Sequence, residues 1–234
     1  MDAIILAGGL GTRLRTVIND MPKCMAPVNN YPFLYYILSQ LQKNKVTHII
    51  LSLGYKHETV VEWIEKNRFD CLISYTIENE PLGTGGAIKL ALNKVKSKEA
   101  LILNGDTFFD VDINAFCKFH IQHNATVSIA LKPVSKFDRY GSISIDNLNR
   151  VTQFHEKKYC DYGYINGGCY LLQKDSFILD NIRLSAFSFE KEILEKSATT
   201  EKIYGYINDR YFIDIGVPED YIKANEDFKY MFKK

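Results

Sequence analysis

Short apolar runs that alternate with amphipathic stretches constrain the fold of this chain more than any other feature. Between residues 1 and about 131, runs such as 3–7 and 48–53 have the length of buried strands, whereas the apolar positions of 33–41 follow one face of a helix. Strands and helices that alternate in this way predict an α/β, Rossmann-like fold, in which a mostly parallel sheet is flanked by helices.

After Pro133 the pattern changes to shorter strand-like runs, at 141–145, 150–156 and 162–172. These runs favour a smaller, partly antiparallel portion that extends the sheet. Ser188 is placed to cap one later helix, and Pro218 is placed in the first turn of the last helix. We expect a single domain over the whole chain, with one portion at 1–132 and the other at 133–234.

The composition excludes several classes of protein. At 46% apolar residues, the chain has enough hydrophobic material to bury a core of its own. Its 29 Lys and Arg against 28 Asp and Glu include no basic stretch, so nucleic acid is not an expected partner. The first apolar run is too short for a signal peptide or a membrane span, and the five cysteines form no CxxC pair. We expect a cytoplasmic protein with reduced thiols and no membrane partner.

A glycine-rich turn follows the first expected strand, in the run LAGGLGTRL at residues 6–14. Backbone N–H groups in such a turn bind phosphate oxygens, and Arg13 and Lys23 place two cations nearby. A dinucleotide-binding fingerprint would need a third glycine where Leu14 stands, and no P-loop Lys-Ser/Thr pair follows. The turn therefore favours a phosphorylated ligand, although a tight turn with positive φ would need the same glycines.

These residues and several later motifs resemble the sugar-1-phosphate nucleotidyltransferases. The opening pattern GGxGTRL is followed by Pro22-Lys23. The later motifs are PLGTGG at 81–86, NGD at 104–106, FHEK at 154–157, NGG at 166–168 and DIGVP at 214–218. The resemblance implies the nucleotide-diphospho-sugar transferase fold. It also implies an enzyme that joins a nucleoside triphosphate to a sugar 1-phosphate and releases pyrophosphate.

A divalent metal ion, Mg²⁺ or Mn²⁺, is part of what the resemblance implies, with Asp106 and Asp214 as its ligands. Asp106 follows an apolar run, at the carboxyl end of an expected parallel strand, where open α/β sheets place their ligands. Magnesium commonly takes one or two protein carboxylates together with phosphate oxygens. Each aspartate also has a simpler interpretation as a turn residue, which the sequence leaves open.

The implied catalysis depends on charge, because the attacking phosphate and the triphosphate are both anionic and repel each other. The expected catalytic residues are Arg13, Lys23, Asp106, Lys157 and Asp214. Arg13 would bind the leaving pyrophosphate, Lys23 the α-phosphate or the incoming phosphate, and Lys157 the sugar phosphate. Solvated cations, or a surface ion pair for Lys157, are the alternatives.

The remaining expected site residues fall into two sets. The nucleotide-binding set is Leu6, Ala7, Gly8, Gly9, Gly11, Thr12, Arg13, Glu80, Gly83, Thr84 and Gly85. The sugar-phosphate-binding set is Lys23, Asn104, Gly141, Glu156, Lys157, Asn166 and Gly167. Glu80 is a candidate acceptor for both edge hydrogens of guanine, or else a solvated loop residue. Glu156 and Lys157 would point to opposite faces of a strand, so both assignments together require a strand end or a bulge.

Two longer runs, 11–38 and 203–221, resemble the branch of the family that transfers a guanylyl group from GTP to D-glycero-α-D-manno-heptose 1-phosphate. That branch makes GDP-heptose for bacterial surface polysaccharide. Cys24 stands where the family usually has proline. Lys23 is therefore expected to be less rigidly presented, because proline would have fixed one more backbone angle. Uridylyl, thymidylyl or cytidylyl transfer to another sugar 1-phosphate stays open, as does a sensor that keeps the fold without turnover. The sequence also leaves a homo-oligomer open.

Overall fold

A mixed sheet forms the centre of the computed structural model, which describes residues 1–9, 21–176, 178–179 and 182–232. Its strands and those of two small sheets are β1 (Asp2–Ala7), β2 (Pro27–Val28), β3 (Tyr31–Pro32), β4 (His48–Leu53), β5 (Leu72–Ile77), β6 (Glu99–Asn104), β7 (Thr107–Phe109), β8 (Val127–Phe137), β9 (Ser142–Ile145), β10 (Val151–Phe154), β11 (Cys160–Gln173), β12 (Ile203–Ile207) and β13 (Phe212–Asp214). The helices are α1 (Phe33–Lys43), α2 (His57–Glu65), α3 (Gly83–Leu92), α4 (Ile113–Gln122) and α5 (Pro218–Met231), with a π-helix at Glu190–Glu195.

The parallel half of the sheet has the strand order β6-β1-β4-β5. Every residue of β4 is buried, as expected for a strand covered on both faces. Alternate residues of β1 enter two separate cores: Ile5 packs in the core that includes α1, α2 and α5, and Ile4 packs in the core that includes α3. The predicted α/β fold, with a mostly parallel sheet between helices, is confirmed.

The second half of the chain extends the same sheet with antiparallel strands. β11 pairs antiparallel with β6, β8 and β9, and β9 pairs with β10. The boundary expected at residues 132 and 133 falls inside β8, which continues to Phe137. Proline is tolerated there because β12 pairs only with residues 127–131 of β8, so on that side no described strand needs the missing N–H of Pro133.

Two predicted helix starts are confirmed. Ser188 Oγ accepts a hydrogen bond from Lys191 N at 3.2 Å, so the serine caps the helical segment that contains the π-helix. Pro218 is the first residue of α5, where its missing N–H has no helical partner to lose.

The carboxyl ends of the four parallel strands meet at one edge of the sheet. Gly105 N, after β6, donates to Leu6 O at 2.9 Å, and Glu78 N, after β5, donates to Leu53 O at 2.8 Å. The backbone of Gly54, after β4, lies so close to the turn after β1 that a Cβ on Gly54 would be 2.9 Å from Gly8 O. Four loops are thereby held against one another, as expected for the ligand-binding edge of an open α/β sheet.

Candidate active site

A cavity of about 380 Å³ lies at this edge. From β1 and the turn after it, the cavity is lined by Leu6, Ala7, Gly8 and Gly9. From later in the chain, its lining includes Lys23, Gly83, Thr84, Asn104 and Asp106. The structure therefore brings members of both expected sets, nucleotide-binding and sugar-phosphate-binding, to one cavity. The expected residues Gly11, Thr12 and Arg13 lie outside the described residues.

Lys23 lies between the two expected metal ligands. Its Nζ is 2.6 Å from Oδ2 of Asp106 and 3.6 Å from Oδ1 of Asp214. The lysine side chain is 13% exposed, against 36% for Asp106 and 30% for Asp214, so the ammonium is largely withdrawn from water. A 3₁₀ turn at Lys23–Met25 presents the lysine and is closed by a hydrogen bond from Ala26 N to Lys23 O at 3.0 Å. The turn therefore forms with Cys24 in the place of the family's proline.

A small antiparallel sheet explains how Asp214 reaches Asp106 from more than a hundred residues away. β13 pairs with β7, which puts Asp214 opposite Thr107, the residue after Asp106. Ile215 N donates to Asp106 O at 3.0 Å, and Gly216 N donates to Asp214 Oδ1 at 2.7 Å. The backbone thus fixes both carboxylates beside each other.

The charges of this cluster suit a divalent cation. Burial and the neighbouring charge of Asp106 raise the pKa of Asp214, while Lys23 acts in the opposite direction. Two carboxylates and one ammonium leave an excess of negative charge. The described part of the chain has no cluster of three or more His, Cys, Asp or Glu that could hold a metal ion. Two carboxylates alone still fit magnesium or manganese, because such ions take further oxygens from substrate phosphates and water.

The second glycine motif is packed against a distant segment of its own chain. Gly83 has φ +66°, and a Cβ there would be 2.5 Å from Phe187 O. A Cβ on Gly85 would be 2.1 Å from the Phe187 ring. Phe187 is itself fixed by its backbone, since Phe187 N donates to Leu82 O and Gly85 N donates to Phe187 O, each at 2.9 Å. Gly85 is therefore buried beneath an aromatic ring, whereas Gly83 lines the cavity.

Gly85→Ala is expected to destabilise the protein by about 1 to 3 kcal/mol, because the Phe187 ring has no room for the added methyl. Alanine is the better helix former by up to about 1 kcal/mol, so a net loss would come from the clash. Calorimetry should show a Tm lower by roughly 5 °C. Gly9→Ala is the control, since no described atom lies within 4 Å of its Cβ position. An unchanged Tm in Gly85→Ala would mean that Phe187 moves aside at no cost.

The expected sugar-side residues of β11 lie beside the end of β6. Gly168 has φ +65°, and a Cβ there would be 2.7 Å from Asn104 Nδ2, so this backbone packs directly on the amide. Asn166 Oδ1 accepts from Gly168 N at 2.9 Å, and Asn166 Nδ2 donates to Tyr170 OH at 3.0 Å. Gly167 is buried, with its Cβ position 2.4 Å from the ring of Phe109.

Glu156 and Lys157 follow the end of β10, so the strand end that their joint assignment requires is present. Both side chains are exposed, and neither forms an ion pair with any described residue. Their loop begins beside the expected sugar residue Gly141, whose Cβ position is 2.5 Å from His155 O. Next to it, burial raises the pKa of Tyr140 to about 12, with the charge of Asp214 as the second cause. This turn therefore lies near the aspartates.

Glu78 belongs to the cavity but was not among the expected residues. Its Oε2 accepts from Leu82 N at 3.0 Å, and its Oε1 lies 3.3 Å from Ser52 Oγ. Glu80, the expected base reader, is exposed and lines an adjoining pocket that Glu78 shares. The position of Glu78 directly after a parallel strand is the signal that pointed to Asp106 and would also have indicated this carboxylate.

Comparison with known proteins places this chain in a family. The model of a family described as nucleotidyl transferase matches residues 2–230. The chain belongs to the nucleotidyl transferase family. This membership confirms the resemblance inferred from the motifs.

Two curated relatives match this nucleotidyltransferase over nearly its full length. D-glycero-α-D-manno-heptose 1-phosphate guanylyltransferase of Aneurinibacillus thermoaerophilus is 46% identical over 98% of this chain and 99% of that protein. The enzyme of the same name from Campylobacter jejuni is 48% identical over 94% of this chain and 97% of that protein. The crystal structure of HddC from Yersinia pseudotuberculosis complexed with GMP-PN has 39% identity and a TM-score of 0.88, covering 97% of this chain and 99% of that one.

Within the described ranges, no helix combines the length and the apolar character needed to cross a bilayer.

Proposed function

We propose that this nucleotidyltransferase transfers the guanylyl group of GTP to D-glycero-α-D-manno-heptose 1-phosphate, giving GDP-heptose and pyrophosphate. Two relatives more than 45% identical carry this activity in their names, and a similar structure was solved with GMP-PN. The observation in this chain that carries the chemistry is the convergence of Lys23, Asp106 and Asp214 at the edge of the cavity.

The reaction is a direct displacement at phosphorus. An oxygen of the sugar phosphate attacks the α-phosphorus of the nucleotide, and the bond from that phosphorus to the oxygen shared with the β-phosphate breaks. That oxygen leaves as part of pyrophosphate. No nucleophile from the protein is required, so the protein contributes position and charge. Lys23, largely withdrawn from water, offsets the repulsion between the two anions more strongly than an exposed lysine would.

Asp106 and Asp214 would hold the divalent cation, Mg²⁺ or Mn²⁺. When bound, such a cation supplies Lewis-acid polarisation of phosphate oxygens and neutralises charge on the triphosphate. Lys23 Nζ lies 2.6 Å from Asp106 Oδ2 and 3.6 Å from Asp214 Oδ1, so the same carboxylates also pair with the lysine. Lys23 is thus a counter-ion of the metal ligands as well as a phosphate-binding residue in this proposal.

In this proposal residues 1–132 form the nucleotide-binding portion of the domain, and residues 133–234 form the sugar-phosphate-binding portion. We assign pyrophosphate to Arg13 and the guanine edge to Glu80, with Glu78 beside it in the adjoining pocket. Lys157 binds the sugar phosphate and Glu156 accepts from sugar hydroxyls, which their exposure and lack of a described ion-pair partner permit.

A substrate panel tests the proposal. Pyrophosphate release is measured with GTP, ATP, UTP, CTP and dTTP against heptose, mannose, glucose and N-acetylglucosamine 1-phosphates. We expect the highest kcat/KM for GTP with the heptose phosphate. A preference for ATP, UTP, CTP or dTTP would reject the guanylyl assignment, and a preference for another sugar would reject the heptose. No turnover with any pair would favour a sensor. The proposal places the enzyme in the cytoplasm, where cell fractionation should recover it.

A further inference from the structure

Glu190 accepts hydrogen bonds from three hydroxyl groups that belong to different parts of the fold. Its Oε2 accepts from Thr84 Oγ1 at 2.7 Å and from Ser188 Oγ at 2.8 Å. Its Oε1 accepts from Tyr170 OH at 3.2 Å. We call Glu190 and these three residues the hydroxyl network. It joins α3, β11 and the start of the π-helix.

Each hydroxyl in the network is directed toward Glu190 by a second hydrogen bond. Thr84 Oγ1 accepts from the backbone N–H of Phe189 at 2.8 Å, and Tyr170 OH accepts from Asn166 Nδ2 at 3.0 Å. Ser188 Oγ accepts from the Lys191 backbone N–H at 3.2 Å. The proton of every hydroxyl is therefore available to Glu190. An ionised carboxylate, which only accepts, satisfies all three, whereas a glutamine would direct an N–H group at one of them.

The hydroxyl network reaches both the nucleotide side and the sugar side of the proposed site. Thr84 belongs to the second glycine motif and lines the cavity. Asn166, which donates a hydrogen bond to Tyr170 OH, belongs to the sugar-side motif. Tyr170 is fully buried, at 1% exposure, so its hydroxyl has no access to water as an alternative partner. The chain just before Glu190 is also fixed to the glycine motif through the backbone of Phe187. Glu190 itself begins a π-helix, a rare conformation that occurs frequently at functional sites.

We infer that Glu190 is a positioning residue that holds the nucleotide side and the sugar side of the cleft in register. It acts on the nucleotide side through Thr84 and on the sugar side through Tyr170 and Asn166. The sugar-side part rests on the proposed function, because that proposal assigns Asn166 to the sugar phosphate. Glu190 acts through these neighbours and does not touch the reacting atoms.

Steady-state kinetics of Glu190→Gln and Tyr170→Phe test the inference, with each substrate varied while the other is saturating. Glu190→Gln should raise KM for both substrates about fivefold to tenfold, the order of one hydrogen bond of ordinary strength, because an amide N–H replaces one acceptor oxygen. Tyr170→Phe removes only the hydroxyl that links Glu190 to Asn166 on the sugar side. It should therefore raise KM for the sugar phosphate and leave KM for the nucleotide within about twofold. Ser188→Ala is the matched control, since it removes a hydroxyl from the same carboxylate but reaches neither substrate side.

Three outcomes would overturn the inference. The first is that Glu190→Gln leaves both KM values within about twofold of wild type, and the second is that it changes only one of them. The third is that Ser188→Ala lowers Tm as much as Glu190→Gln does and also raises both KM values as much. The KM effect of Glu190→Gln would then come from a general loss of local structure. If Glu190→Gln does not fold, the selectivity of Tyr170→Phe decides. The measurements use the substrate pair that the panel selects. A wrong heptose or guanylyl assignment would therefore show in the panel and would not be mistaken for a failure of the role inferred for Glu190.

Discussion

Asp106→Asn and Asp214→Asn are each expected to lower kcat about a thousandfold or more, while the protein stays folded. Each variant replaces one of the two carboxylates proposed to hold the divalent cation with a neutral amide, which binds such a cation much more weakly. Folding should not suffer, because burial and the charge of Asp106 already disfavour ionised Asp214. Removing either charge relieves that repulsion. Pyrophosphate release over a range of magnesium concentrations, together with Tm, gives the measurement.

Asp209→Asn is the control for these variants. Asp209 also pairs with a lysine at 2.6 Å, but its side chain is 78% exposed and its partner is Lys132. The substitution should leave kcat unchanged, since surface ion pairs contribute little. Near-normal rates in both Asp106→Asn and Asp214→Asn would show that the metal is held elsewhere.

Lys23→Met is expected to lower kcat about a hundredfold or more and, at the same time, to tighten the binding of Mn²⁺ to the protein alone. The rate falls because a cation that offsets repulsion between two anions is lost. Metal binding tightens because the ammonium, at 2.6 Å and 3.6 Å, competes with the metal for the same carboxylates. Turnover assays give kcat, and titration calorimetry with Mn²⁺ in the absence of substrates gives the affinity.

Lys132→Met is the matched control, because its Nζ lies 2.6 Å from Asp209 on the surface. Neither kcat nor Mn²⁺ affinity should respond to it. A wild-type kcat in Lys23→Met would remove Lys23 from the catalytic residues. Weaker Mn²⁺ binding in that variant would show that the lysine assists the metal and does not compete with it.

The alternation of apolar runs was enough to predict the parallel half of the sheet, since β4 and α1 are long enough to show their periods. It could not predict the sheet of β7 and β13, because strands of three residues have no readable period. The approach of Asp214 to Asp106 depends on that sheet. For this reason the sequence indicated both aspartates through motifs, while the physical cause of their proximity became visible only in three dimensions.

Long-range partners account for what the sequence reasoning missed. Gly83 and Gly85 were assigned to the nucleotide-binding set, and nothing in the sequence indicated that the Phe187 ring, about a hundred residues later, packs against Gly85. Glu190 bonds to Thr84 across 106 residues and to Tyr170 across 20, and no local pattern marks such contacts. Glu78 is a different case, because the rule that selected Asp106 applied to it equally.

The unbroken course of β8 has a consequence for how this enzyme moves. Residues on both sides of Pro133 pair with β11 in one ladder, so the two portions proposed at 1–132 and 133–234 share backbone hydrogen bonds across their border. A hinge at that border would have to rupture the ladder. Adjustment to substrates must then come from the loops at the carboxyl edge, with the sheet beneath them acting as a rigid platform.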